Sequence, residues 1–318
     1  MYAHKGKDWK RMLFGHLCMA IACAIWGLMA PLGKDAMTHG IPGLEMVTFR
    51  VTGGAVCFWL ASLFISMKKK VRHEKMEEVS SKDMLRFFFA GMLGIVMNQC
   101  CYTIGLSITS PVNASIMTTT MPIITMVLAA VFLKEPVTSK KVMGVFCGAI
   151  GACILIMGSS QAQTQTGGVL LGDILCICAQ VSFACYLTIF KHLIQRYSVV
   201  TCMKWMITYA AIVILPFSYT KIAALPWSEI PVKTYLEAAF VVVGGTFVAY
   251  LFSINAQKIL RPTVIAMYNY VQPIVSCVVS VLLGLGVFGW GQSLSVVLVF
   301  TGVYLVTQSK ARASKQKA

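Results

Sequence analysis

Acidic residues are scarce in this chain: its 318 residues include only 11 Asp and Glu, together with five His. Acid–base and nucleophilic catalysis depend mainly on these side chains, and the sequence has no HExxH, no GxSxG and no cluster of carboxylates. It also lacks a GxxxxGK[ST] phosphate-binding loop, which excludes ATP as a direct energy source. These absences argue against an enzyme, although a multi-span enzyme that modifies lipids stays open as an alternative.

Charge of either sign is also sparse. Charged residues make up 12% of the chain against about 25% in a soluble domain. Hydrophobic residues make up 58%, and the mean hydropathy is +0.76. The sequence contains repeated apolar runs of about 20 residues, which is long enough to cross a bilayer. Because lipid offers no hydrogen-bond partner for backbone groups, these runs predict transmembrane helices. We expect an all-α polytopic membrane protein with ten such helices, at 13–33, 44–66, 86–107, 111–133, 140–158, 170–190, 203–220, 235–255, 262–284 and 291–308.

The net charge of +16 does not indicate a nucleic-acid partner, because the basic residues are unevenly distributed. With ten spans, most of the 27 Lys and Arg fall on the side that carries both termini, including Lys68–Lys70 and Lys140–Lys141. The positive-inside rule therefore predicts a multi-pass protein with both termini in the cytoplasm, most simply in a bacterial plasma (inner) membrane. The basic face also predicts membrane lipids with anionic headgroups as partners.

The 12 cysteines fall within or at the start of the predicted spans. The pairs Cys100–Cys101 and Cys176–Cys178 have no His or carboxylate near them, and a zinc site needs about four ligands. We therefore expect no metal and no other cofactor, and we interpret the cysteines as small packing residues.

An internal repeat supplies the topology. Pro111 and Pro122 recur as Pro262 and Pro273, displaced by 151 positions. Each half holds five predicted spans, and since five is odd, the second half enters the membrane from the opposite side. The predicted organisation is a first five-helix repeat at 1–158, an extracytoplasmic linker at 159–169, a second, inverted five-helix repeat at 170–308 and a basic cytoplasmic tail at 309–318.

Polar and aromatic residues near the middle of spans are the candidate substrate contacts, since a polar side chain in apolar surroundings needs a hydrogen-bond partner or a water-filled cavity. Thr118 and Thr119 correspond to Asn269 and Tyr270 in the repeat, just before the second proline of each half. The alternative is that such residues only bridge neighbouring helices. The candidate cavity residues are Trp26, Asn98, Tyr102, Thr118, Thr119, Gln180, Tyr186, Tyr250, Asn269 and Tyr270.

Arg50 is the one charged residue well inside a predicted span, about 9 Å below the outer end of its helix. It is a candidate for attracting an anionic substrate or for an outer gate. Structurally, it could instead snorkel outward or pair with Glu45 or Glu237.

Several local sequences point to a family. Trp26-Gly27, Phe49-Arg50 and the run from Tyr102 to Gly151 resemble the EamA-type drug/metabolite transporter superfamily. The resemblance covers essentially the whole chain and implies ten helices in two inverted repeats, a central cavity and alternating access. The family often has a Glu after the fourth helix of each repeat; Glu135 fills the first position and Gly286 stands at the second. We expect Glu135 to cap a helix or to pair with Lys140 or Lys141 at the interface.

The resulting hypothesis is a secondary transporter of small metabolites, such as amino acids or related compounds, acting as an exporter or facilitator. The absence of a mid-span carboxylate makes facilitated diffusion or exchange at least as reasonable as proton coupling. A transport-inactive membrane sensor is a second alternative. Two repeats in one chain already complete a cavity, so we assume a monomer, with a dimer open.

Overall fold

The fold is entirely helical over the residues that the computed structural model describes, which are 2–108, 111–157, 170–282 and 289–309. The predicted linker and all but the first residue of the predicted tail lie outside them, as does Gly286. The helices of the first half are α1 Tyr2–Thr38, α2 Gly43–Val71, α3 Ser81–Gly91, α4 Asn98–Ile108, α5 Pro111–Thr118, α6 Met121–Leu133 and α7 Ser139–Met157. Those of the second half are α8 Leu170–Ile189, α9 Lys191–Arg196, α10 Val199–Ala223, α11 Val232–Val242, α12 Ala249–Ile259, α13 Pro262–Met267, α14 Val271–Leu282 and α15 Trp290–Gln308.

Membrane-spanning length is reached by single long helices and by shorter helices that continue into one another. Among the described residues, nine helical stretches are long and apolar enough to cross a bilayer. The predicted fifth span forms α7, a 19-residue helix that begins beside Lys140 and Lys141 but is not one of the nine. Several spans combine two helices, because α3 continues through the π-helical turn Met92–Met97 into α4, and α11 continues through Val243–Val248 into α12.

The two halves repeat each other closely from α3 and α11 onward. The π-helical turns begin at Met92 and Val243, which are 151 positions apart. Helices α7 and α15 begin at Ser139 and Trp290 and end at Met157 and Gln308, at the same displacement. The sequence repeat is thus also a repeat of secondary structure, down to the position of a rare wide helical turn.

Helices α7 and α15 cross at close range through small residues. A Cβ on Gly302 would lie 2.5 Å from the backbone oxygen of Gly144, and a Cβ on Gly151 would lie 2.9 Å from that of Ser295. Gly151 and Ser295 are the repeat equivalents of Gly302 and Gly144, so the crossing is symmetric. Close approach of this kind takes the place of hydrophobic burial between helices in lipid.

The two ends of the bundle differ in charge. The basic end holds the hydrogen bonds and ion pairs of five charged residues: Glu77, Asp83, Glu135, Lys258 and Arg261. At the opposite end, α1 packs against α11 and the α10–α11 loop. There Lys233 forms an ion pair with Asp35, and Ile230 packs on Gly40. Between the two ends lies a largely apolar core that the polar site described next interrupts.

Candidate substrate site

Gln99 and Tyr250 meet in the centre of the molecule. The side-chain nitrogen Nε2 of Gln99 donates to the Tyr250 hydroxyl at 3.1 Å, and both side chains are buried. Each residue lies just after its own π-helical turn, and the two positions are 151 residues apart, which makes them repeat equivalents. Residues related by a twofold axis come together only where they lie on that axis. The pair therefore marks where the axis between the repeats passes.

A second equivalent pair lies on the same axis. The Tyr270 hydroxyl donates to the backbone carbonyl of Thr119 at 3.0 Å, again across 151 positions. Thr119 lies at the break between α5 and α6, and Tyr270 lies in the 3-10 turn that leads into α14. The Tyr270 ring packs closely against α7 at Gly148, where a Cβ would stand 2.5 Å from the ring. The hydroxyl thus bonds a carbonyl at a helix break.

Arg50 reaches the first pair from α2. Its Nε donates to the Thr246 hydroxyl at 3.2 Å, and Thr246 lies four residues before Tyr250 on the same helical span. The side chain is half-buried. The expected pairing with Glu45 or Glu237 does not form; Glu237 lies 3.5 Å from Lys233 instead. Within the described chain, Thr246 is the single hydrogen-bond partner of this guanidinium.

Trp26 joins this group from α1. Its indole nitrogen donates to the Gly245 carbonyl at 2.9 Å, and its ring meets that of Tyr250 edge to face at 5.7 Å. We call Trp26, Arg50, Gln99, Thr246 and Tyr250 the Arg50 cluster. It combines an aromatic surface with one cation and one amide.

The residues around the second pair form the Tyr270 cluster, which comprises Thr119, Met121, Asn269, Tyr270 and Gln272. Asn269 donates to the Met121 sulfur and accepts from Gln272 Nε2 at 3.0 Å. Helix α1 lies between the two clusters, because a Cβ on Gly27 would stand 2.9 Å from the Gln272 carbonyl. The clusters thus line the two sides of the α1 segment that carries Trp26.

The other predicted residues lie away from the clusters or serve packing. Asn98 donates to the Ala179 carbonyl at 3.0 Å and so bridges α4 to α8, as the packing alternative expected. Tyr102 lies one turn further along α4 and is half-buried. Gln180 is buried on α8, next to Ala179. Thr118, at the end of α5, is half-buried.

Tyr186 belongs to a third position, nearer the basic end. Its hydroxyl donates to Gln257 Oε1 at 2.9 Å, and its ring covers Gly94, where a Cβ would lie 2.8 Å from the ring. Together with Gln257 and Lys191, it lines a cavity of about 10 Å³, which is room for roughly one water molecule. The predicted site residues are thus distributed along the interior, and only part of them come together.

Four polar residues at these three positions are not among the candidate cavity residues: Gln99, Thr246, Gln257 and Gln272. The signal that could have found Gln99 was present in the sequence, since Tyr250 lies 151 positions after it. Applying the repeat displacement to every predicted residue would have identified this partner.

Ion pairs tie the two repeats together at the basic end. The Glu135 carboxylate accepts a hydrogen bond from Lys141 at 2.9 Å, as predicted. It also accepts one from the Thr263 hydroxyl of the second repeat at 3.1 Å. Lys191, from the second repeat, lies 4.0 Å away. Burial lowers the pKa of Lys191, and the nearby Glu135 partly offsets that effect. One carboxylate therefore faces two lysines across the junction.

Among the described residues, one ion pair joins the repeats at the opposite end. Lys233 on α11 donates to Asp35 on α1 at 2.8 Å. The hydrogen bond from Lys233 lowers the pKa of the Asp35 carboxyl. Both ends of the interior are thus crossed by contacts between the two repeats.

Comparison with known proteins agrees with this architecture. The model of the EamA-like transporter family matches residues 13–157 and again 170–308. An uncharacterized transporter of Bacillus subtilis (strain 168), YyaM, is 23% identical over 70% of this chain and 72% of its own length. A WAT1-related protein of Arabidopsis thaliana is 22% identical over 93% of this chain and 78% of its own. A crystal structure with 14% identity superposes with a TM-score of 0.74, covering 94% of this chain and 96% of the other. The chain is an integral, multi-pass membrane protein that belongs to the EamA-like transporter family.

Proposed function

We propose that this protein is a secondary transporter of small polar or amphipathic metabolites, such as amino acids or related compounds, and that it works as an exporter or facilitator by alternating access. The observation that carries the proposal is the meeting of repeat-equivalent residues, Gln99 with Tyr250 and Thr119 with Tyr270, at the axis between the halves. Inverted-repeat transporters hold their substrates at that interface.

The chemistry of the two clusters suits small amphipathic molecules. Trp26 and Tyr250 supply aromatic faces, and Gln99, Asn269 and Gln272 supply amide donors and acceptors. Arg50 is the only basic side chain of the Arg50 cluster. A single cation fits a small substrate better than a large phosphorylated one.

The contacts at the two ends support alternating access. Separating α6 and α7 from α13 and α9 would break the contacts of Glu135 with Thr263 and Lys191 and open the basic end. Separating α1 from α11 would break the Asp35–Lys233 pair and open the opposite end. We propose that the basic end faces the cytoplasm of a bacterial cell, in line with the positive-inside rule, and that one chain is the working unit.

A metabolite screen on the protein reconstituted in liposomes tests this function. Wild type is compared with Asn269→Ala and Tyr270→Ala, each checked for a monodisperse, folded state, with Glu229→Gln on the surface as a control. We expect uptake of one compound class by wild type and the control, and its loss in both cluster variants. Running each assay with and without a pH gradient separates proton coupling from facilitated diffusion.

Other outcomes would count against the proposal. Uptake that survives both substitutions would return Asn269 and Tyr270 to a packing role. No uptake of any compound by wild type would leave the fold standing and favour the sensor alternative. Chemical conversion of a lipid in the vesicles would instead revive the enzyme alternative.

A further inference from the structure

We infer that Arg50 is the carboxylate-binding residue of the transport site and that Gln99 binds a neighbouring ammonium group of the same substrate. This inference rests on the proposed function, because it concerns what the interior site holds. It narrows the substrate to a small molecule that carries a carboxylate and an adjacent hydrogen-bond donor.

The first observation is the incomplete pairing of a cation inside a span. Arg50 lies seven residues into α2, or about 10 Å along it. Its guanidinium has five N–H donors, and within the described chain only Nε has a partner, the Thr246 hydroxyl. No ion pair of Arg50 forms among the described residues. A charge at this depth normally pairs with an opposite charge, and a carboxylate substrate would supply it.

The second observation is a buried acceptor without a partner. Gln99 is 6% exposed, and its Nε2 donates to Tyr250, but its Oε1 accepts no hydrogen bond in the part of the chain that the structure describes. Leaving such an oxygen unpaired in the interior is unfavourable. An ammonium group of a substrate is a strong donor that would satisfy it.

Tyr250 connects these two unsatisfied groups. Its hydroxyl accepts from Gln99, so its own proton is available to a substrate oxygen. Thr246 and Tyr250 lie four residues apart on one helix, which places the Arg50 contact and the Gln99 contact on the same face. A donor pair for a carboxylate and an acceptor for an ammonium group are therefore neighbours.

The remaining wall is aromatic. The Trp26 ring meets Tyr250 edge to face and is fixed by its bond to the Gly245 carbonyl. An apolar substituent on the carbon between carboxylate and ammonium would lie against this ring. The combination fits an α-amino acid, and it disfavours a plain amine, which leaves Arg50 unpaired, and a plain carboxylate, which leaves Gln99 unpaired.

The test uses wild type and three variants in liposomes with an equimolar mixture of the twenty amino acids. Uptake is measured by mass spectrometry, followed by competition with the amide, the decarboxylated amine and the deaminated acid of the best substrate. The variants are Arg50→Gln, Arg50→Lys and Gln99→Leu. Arg72→Gln is the matched control, since Arg72 is an exposed arginine at the end of α2.

We expect Arg50→Gln to lower uptake of the amino acid at least about tenfold, the size of one lost charged hydrogen bond, with the Arg72→Gln control unchanged. Uptake or competition by the decarboxylated amine should not fall with it. Arg50→Lys should restore part of the affinity, because it keeps the charge and loses the fork of donors. Gln99→Leu should narrow the preference for the amino acid over its deaminated acid.

Each contrary result has its own meaning. Equal uptake of the amino acid by wild type and a folded Arg50→Gln protein overturns the inference and leaves the proposed function intact. If Arg50→Gln does not fold, competition on wild type alone decides. The inference is overturned if the amide or the decarboxylated amine of the best substrate competes as well as the unmodified amino acid. Transport by wild type of other metabolites, but of no amino acid, overturns it too. No transport at all removes the proposed function as well.

Discussion

Gln99 donates a hydrogen bond to Tyr250 at 3.1 Å across the axis that relates the two halves of the chain. Each half contributes one partner, from the same position in its own repeat, directly behind a π-helical turn. Wide turns of this kind often occur at functional sites, where they alter the direction of the side chains that follow. Here the turns precede the two side chains that meet at the centre.

This bond should be measurable as an energetic coupling. A cycle of Gln99→Leu, Tyr250→Phe and the double variant should give a coupling of about 0.6–1.5 kcal/mol in unfolding free energy, within the range found inside membrane bundles. Reversible unfolding in mixed micelles provides the values. Strict additivity of the two single changes would contradict the bond, and the pair Gln99→Leu with Glu229→Gln is an additive reference.

The crossing of α7 and α15 should tolerate no side chain at position 302. Gly302→Ala places a Cβ 2.5 Å from the Gly144 oxygen, so the helices must separate, and we expect a loss of about 1–3 kcal/mol. Gly291→Ala, on the same helix, meets nothing within 4 Å and should leave stability unchanged or slightly improved. Thermal unfolding in detergent compares the two. Equal melting temperatures for both variants would mean that the crossing is looser than described.

The two lysines that face Glu135 should differ in their effect on stability. Lys141 is fully buried and lies 2.9 Å from the carboxylate, so Lys141→Met should destabilise the protein by about 3 kcal/mol or more. Lys191 is 4.0 Å away, and burial disfavours its charge, so Lys191→Met should cost little or raise the melting temperature.

The pH dependence gives this comparison an internal check. The lowered pKa of Lys191 means that its charged form destabilises the folded state below that pKa, and that the penalty is relieved as the pH rises through it. Wild type and Lys191→Met should therefore converge in stability at high pH. A larger loss from Lys191→Met than from Lys141→Met would reverse the assignment of the primary ion pair.

The Asp35–Lys233 pair should stabilise the opposite end only while Asp35 is ionised. Its lowered pKa means that this contribution is present above the ordinary value of 3.8 and is lost as the pH falls through the lowered one. Asp35→Asn should therefore melt below wild type at neutral pH and match it under strong acid. Glu229→Gln, an exposed carboxylate at the same end, should follow wild type throughout. A difference that persists in strong acid would indicate a role for Asp35 other than its charge.

Composition and repeat predicted the fold well, because both reflect constraints that act on every residue of a span. The displacement of 151 read from Pro111 and Pro262 also relates the helix bounds of α7 and α15. The π-helical turns were not predictable in this way. Their sequences, MLGIVM and VGGTFV, carry no proline and fit an ordinary helix.

The site was predicted only in part, because the third dimension decides which mid-span polar groups meet. Tyr250 and Tyr270 reach the axis, whereas Asn98 turns outward to the Ala179 carbonyl of a neighbouring helix. The sequence also offered Glu45 and Glu237 as partners for Arg50, since all three lie near the same ends of their helices. Their depths differ, and the guanidinium bonds Thr246 instead.

The Gln99–Tyr250 pair would be impossible in a symmetric assembly of two identical single-repeat chains. In such a pair of copies, whatever residue lies on the axis meets only itself, and the centre must look the same from either half. Fusion of the repeats into one polypeptide removes that restriction, since position 99 and position 250 can mutate separately. An amide can then face a phenol, and one half can supply a cation that the other lacks. The centre becomes handed, so a ligand with two unlike ends, bound there as we propose, would have one preferred orientation.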